Sequence, residues 1–187
     1  MSIVIGICGN SCSGKSTICK ELINKYPSEI TYLKADKFFK IKNTNFVNNQ
    51  SIWNSPLDVA FDKLIEAVSN LKEEHIGFMP SKAFTEKYDK ELKPNKIILI
   101  EGFLIYTNKE LVSLFDKRIF LDIDNNELIS RRLQRNINED KDFIQKAVIE
   151  PAEKYEKIQK DNSDLIIDSN KEIKEVLLEI EKYLFDS

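Results

Sequence analysis

The sequence predicts an α/β fold built on a parallel sheet. Three observations lead there. Short apolar runs such as Ile3-Val4-Ile5-Gly6-Ile7-Cys8 and Ile97-Ile98-Leu99-Ile100 are unbroken rather than alternating, the pattern of strands buried on both faces. Other stretches carry apolar residues at helical spacing, such as Phe61, Leu64, Ile65, Val68 and Leu71. The two kinds of segment alternate along the chain, as parallel strands joined by crossover helices must.

Composition sets the class. The chain has 187 residues, a single-domain length. Its 42% hydrophobic and 32% charged residues suit a globular core. A net charge of −3 gives no bulk hold on nucleic acid, so no nucleic-acid partner is expected. No apolar run approaches the roughly 18 residues of a membrane span, so no membrane partner is expected. The N-terminus lacks the pattern of a signal peptide. Cys8, Cys12 and Cys19 form neither a paired metal pattern nor an even disulfide set, which points to a reducing cytoplasm.

The elements follow in order. Residues 3–8 form the first strand. Ile18, Leu22, Ile23 and Tyr26 mark a helix that Pro27 stops. Residues 30–35 form the second strand. Residues 38–55 are polar, Asn-rich and aperiodic, a loop long enough to be functional. Ser55-Pro56 reads as the N-cap and first position of the helix that runs through Leu71. Residues 72–95 are charged and punctuated by Pro80 and Pro94. Residues 96–102 form a third strand ending in an acid. A short helix covers 108–115, a fourth strand 119–123 and a helix 125–137. Residues 138–142 form an exposed tip, and a helix runs on to about 160. Residues 165–167 form a fifth strand, and Ile173, Val176, Leu177, Ile180 and Leu184 mark a closing helix.

Gly9-Asn10-Ser11-Cys12-Ser13-Gly14-Lys15-Ser16 fits G-x-x-x-x-G-K-[ST], a P-loop, between a predicted strand and a predicted helix. Glycines let backbone N–H groups turn inward around a polyphosphate, and the helix N-terminus adds its positive end. Residues 9 to 16, with Thr17, are therefore the expected ATP cradle. Lys15 would reach the β- and γ-phosphates, and the Ser16 hydroxyl would ligate Mg²⁺. Cys12 is read as a tolerated position in the loop. No Asn-Lys-x-Asp motif for guanine is present.

The remaining chemistry sits at strand ends, where open α/β sheets bind ligands. Asp36 follows the second strand and could accept a proton from an attacking hydroxyl. Glu101 ends the third strand and could serve Mg²⁺. The chain has only four Arg, and Arg131, Arg132 and Arg135 fall within five positions on one predicted helix. Guanidiniums clustered beside a lid suit phosphoryl transfer, which is mostly positioning and electrostatics. His75 lies in a charged stretch and is read as surface.

Together these residues resemble the uridine kinase and phosphoribulokinase-like P-loop kinases, particularly uridine kinases and nicotinamide riboside kinases. The resemblance runs through the P-loop, Asp36-Lys37-Phe38-Phe39, Trp53-Asn54-Ser55-Pro56, Glu101-Gly102-Phe103-Leu104 and Ser130-Arg131-Arg132-Leu133-Gln134-Arg135, then 151–155 and 164–168. It implies a P-loop NTPase fold, with a five-stranded parallel sheet flanked by helices and a small lid. One domain, 1–187, would carry a lid at about 131–146 and substrate-binding insertions at about 38–55 and 72–95. It also implies transfer from ATP, with Mg²⁺, to the 5′-hydroxyl of a small-molecule nucleoside. Asp36 would be the base, Lys15, Arg131, Arg132 and Arg135 the catalytic cations, and Ser16 and Glu101 the metal residues. Phe39, Trp53, Asn54 and Phe84 would meet the nucleoside. Two departures stand out: Asn54 replaces the family's ribose-binding acid, and no His occupies 76–92, where uridine kinases read the pyrimidine. Uridine and cytidine are the expected acceptors. A nicotinamide riboside kinase is one alternative, and a regulatory ATPase module is another.

Overall fold

The computed structural model describes residues 2–40 and 54–185, with the backbone of 46–47 and 50–51. In chain order β1 is Ile3–Gly9, α1 Lys15–Lys25 and β2 Ile30–Lys34. A short antiparallel pair follows, β3 (Phe46–Val47) with β4 (Gln50–Ser51), and then α2, Phe61–Lys72. A second such pair, β5 (Gly77–Met79) with β6 (Lys90–Leu92), precedes β7, Ile97–Gly102. The chain continues through α3 (Lys109–Leu114), β8 (Lys117–Asp122), α4 (Asn125–Arg135) and α5 (Lys141–Ile144). It ends with α6 (Glu150–Asp161), β9 (Leu165–Asp168) and α7 (Ile173–Phe185). The five strands predicted from the sequence form one parallel sheet, ordered β2-β7-β1-β8-β9.

The unbroken apolar runs are explained by burial on both faces. Val4, Cys8, Ile98, Ile100 and Phe120 pack on one side under α2 and α3. Ile5, Ile7, Leu99, Ile119 and Leu121 pack on the other under α1 and α7. Alternate residues of each strand thus serve opposite cores. Gly6 is small because Tyr106 fills its space: a Cβ there would stand 2.7 Å from the Tyr106 hydroxyl. That hydroxyl donates to the Gly6 carbonyl at 2.6 Å and accepts from the Ile119 amide at 2.9 Å. Tyr106→Phe should cost about 0.5–1.5 kcal/mol, since it removes the buried hydrogen bond that the hydroxyl gives the Gly6 carbonyl. Urea unfolding will measure it, with midpoint falling and slope unchanged.

Two expectations are corrected. Ser55-Pro56 does not open the long helix. It caps a 3₁₀ turn, Pro56–Asp58, in which the Asp58 carboxylate accepts from the Asn54 and Ser55 amides at 3.1 and 3.0 Å. The helix starts later, at Phe61. Within the charged, proline-punctuated segment 72–95, β5 and β6 pair. The helix expected from 143 to 160 is interrupted by a five-residue π turn, Gln145–Ile149. Pro151 has no N–H to give the carbonyl of Ala147, its partner in a regular helix. The Asn54 side-chain amide donates to that carbonyl at 3.3 Å instead.

Candidate active site

Where β1 ends, the chain must turn sharply to enter α1. Gly9 permits this with φ +148°, where a Cβ would lie 2.5 Å from the Leu121 carbonyl oxygen. Gly14, at φ +91°, delivers the chain into the first turn of α1. Lys15 Nζ lies back over the loop and donates to the carbonyls of Gly9 and Asn10, each at 2.8 Å. Asn10 and Ser13 are buried beneath it.

Glu101 is brought to the first turn of α1 by the end of β7, and it is 1% exposed. The Ser16 hydroxyl donates to its carboxylate at 2.7 Å, and the Tyr32 hydroxyl also donates to it. Burial, and the negative charge of Glu101, push the Tyr32 phenol well above its ordinary pKa. A hydroxyl and a carboxylate side by side are hard oxygen donors. Mg²⁺ is held in this way, by one or two protein oxygens while phosphates and water complete its shell, so the pair fits the ion.

Asp36 stands in the 3₁₀ turn Ala35–Phe38 just beyond β2. Loss of hydration pushes its carboxyl above the usual range, and Glu101 adds to this; the cations Lys15, Lys34 and Arg135 oppose it. The three arginines of α4 are not equivalent. Arg131 binds Glu127 at 2.7 Å and donates to the carbonyls of Cys12 at 3.3 Å and Ser169 at 2.9 Å, so it braces the P-loop against the end of β9. Arg132 forks onto the Glu139 carboxylate and donates to Ser11 Oγ at 2.8 Å. Arg135 is exposed and lines the cleft.

The cleft has a volume of about 770 Å³. Lys15, Ser16 and the arginines line one part, and Phe39, Asn54 and Phe84 line another, with Asp36 on the same wall. The Phe39 ring stacks on Phe84 at 6.1 Å and tilts against Phe103 at 6.0 Å. The structure therefore brings together all the predicted acceptor-side residues except Trp53, which lies outside the described residues.

Comparison with known proteins decides the family. Residues 4–174 match the model of the phosphoribulokinase / uridine kinase family. The chain belongs to that family. A uridine kinase of Chlamydia pneumoniae is 29% identical over 191 residues, which cover 91% of this chain and 83% of that one. A uridine kinase of Clostridium botulinum (strain Kyoto / Type A2) is 33% identical over 144 residues, covering 73% and 70%. Among solved structures, a possible uridine kinase from Bacillus stearothermophilus shares the fold, with a TM-score of 0.55 at 20% identity and 89% of each chain covered.

Sequence reasoning missed several residues of this kinase site. Lys34 Nζ lies 3.2 Å from Ser16 Oγ and 3.4 Å from Glu101 Oε1. Tyr32 reaches the same carboxylate. A signal was available: in a strand, residues two apart share a face, so Tyr32 and Lys34 point together. Glu139, Phe143 and Ala147 also line the cleft. The tip at 138–142 is therefore not wholly exposed, because Glu139 turns inward to hold Arg132.

Proposed function

We propose that this chain transfers the γ-phosphoryl group of ATP, with Mg²⁺, to the 5′-hydroxyl of uridine or cytidine. The observation that carries the reading is one cleft in which a P-loop and an aromatic wall flank Asp36. The relatives' names support a pyrimidine nucleoside as acceptor. In this reading the P-loop amides and Lys15 hold the phosphates. Asp36 accepts the proton of the 5′-hydroxyl as its oxygen bonds to phosphorus, and the bond to the ADP oxygen breaks. Mg²⁺, held by Ser16 and Glu101, would neutralise charge on the phosphates. Arg132 and Arg135 meet the charge that spreads over the transferred group, and Arg131 keeps the loop in shape.

Phe39 and Phe84 offer the base a stacking wall. The lid would comprise about 131–146 and the acceptor insertions about 38–55 and 72–95. No described helix is long and apolar enough to cross a membrane. The three free cysteines support a reducing cytoplasm as the place of work.

The test is kcat/KM across uridine, cytidine, nicotinamide riboside, adenosine and their 2′-deoxy forms. Uridine and cytidine should lead. Selectivity should be shallow, because a stacking wall discriminates flat bases poorly. ATP turnover should depend on added nucleoside, as a regulatory ATPase module would not. Activity confined to a non-nucleoside alcohol such as pantothenate would overturn the acceptor while leaving a kinase.

A further inference from the structure

We propose that Lys34 is a placeholder cation at the metal seat: its ammonium occupies the Ser16 hydroxyl and the Glu101 carboxylate until a metal–nucleotide complex displaces it. The inference rests on the reading of Ser16 and Glu101 as that seat.

The strand register brings these groups together. β2 and β7 are parallel, and Lys34 stands directly beside Glu101. The Lys34 ammonium is 3.4 Å from Glu101 Oε1 and donates to Ser16 Oγ at 3.2 Å. A serine hydroxyl has one proton and two lone pairs. Its proton here goes to Glu101, at 2.7 Å. Lys34 takes up a lone pair, which is what a metal ligand must offer. An ammonium and a divalent ion on the same oxygen would be neighbouring like charges in a poorly solvated corner, where repulsion is strong. Only one of them can hold Ser16 at a time.

The arrangement solves a problem at Glu101. A carboxylate that is 1% exposed needs a counter-charge. Lys34 supplies one, and the Tyr32 hydroxyl adds a hydrogen bond. The Lys34 side chain is still 34% exposed and lines the cleft, so its head has room to move. When the metal arrives with ATP, the ammonium can leave Ser16 for the phosphate oxygens that come with it. The nucleotide-free protein should therefore bind divalent ions weakly and take its metal together with the nucleotide.

Mn²⁺ is the probe, with the free ion counted by its electron paramagnetic resonance signal. Nucleotide-free Lys34→Gln and Lys34→Met should each bind Mn²⁺ about tenfold more tightly than the unaltered chain, because a repelling charge has gone. Two uncharged replacements keep the test alive if one folds poorly, and thermal unfolding will show that. Lys34→Arg keeps the charge and should bind Mn²⁺ as weakly as the unaltered chain. A non-hydrolysable ATP analogue in EDTA should bind less tightly to Lys34→Gln, since no cation then moves to its phosphates. Mn²⁺ affinity unchanged or reduced in both uncharged variants overturns the proposal. Ser16→Ala separates the two levels. If it keeps full Mn²⁺ binding with the analogue present, the seat itself is misassigned and the inference falls with it. If it loses Mn²⁺ while Lys34→Gln changes nothing, only the inference falls.

Discussion

Asp36→Asn should lower kcat by roughly 10²–10⁴, the usual contribution of a positioned acid or base. The change is nearly isosteric, so ATP should still bind and the ATP-induced thermal shift should survive. Turnover near that of the unaltered chain would remove Asp36 from the mechanism. The same residue makes two claims about pH. Its carboxyl titrates above the ordinary range because burial outweighs the nearby cations. The acid limb of kcat/KM should therefore lie above that of a free carboxylate. The stability effect has the opposite sense to that of a salt-bridged acid. Between the unfolded and folded pKa the native state holds more protons, so stability falls as pH rises through that window. The penalty is complete above the folded pKa. Asn at this position carries no charge to desolvate, so the inactive variant should melt at a higher temperature than the unaltered chain at neutral pH.

Lys15→Ala should abolish most of the stabilisation given by ATP with Mg²⁺. A ligand at 100 times its Kd adds about 2.7 kcal/mol to an otherwise unchanged protein. Without its point charge on the β- and γ-phosphates, the cradle keeps only its amides and the helix end. Among the described residues the Lys15 head bonds to two loop carbonyls, Gly9 and Asn10, and it lines the open cleft, so the variant should fold. A full ATP shift in Lys15→Ala, measured by differential scanning fluorimetry, would mean that the phosphates sit elsewhere.

The centre of the sheet was legible because β1 and β7 carry unbroken apolar runs, the pattern of strands covered on both faces. The P-loop was legible because spacing, strand and helix all agreed. Asp36 and Glu101 followed from the rule that ligands gather at strand ends. What escaped was of another kind. Lys34 pairs with Glu101 across β2 and β7, strands that lie some 60 residues apart in sequence. No local pattern announces which strands will be neighbours. The different duties of Arg131 and Arg132 were hidden for a similar reason. Their partners, Cys12, Ser169, Ser11 and Glu139, come from three separate loops. The 3₁₀ turn at Pro56 was misread because Ser-Pro with an acid three residues on is the same opening whether one turn follows or several.

The π turn has a consequence for how this chain tolerates changes in length. Ile144 and Ile149 both pack beneath α4, and Ala147 and Ala152 both line the cleft. Each pair is five apart, one more than the four that put two side chains on one face of an α-helix, and the π turn absorbs the extra residue. Deleting one residue within 145–149 would bring each pair to the four-residue spacing and leave the flanking segments in phase. A further residue inserted there has no such slack and would swing Phe143 and the tip by about 100° relative to α6. The segment should therefore accept the loss of one residue far better than the gain of one, which thermal unfolding of the two variants will compare.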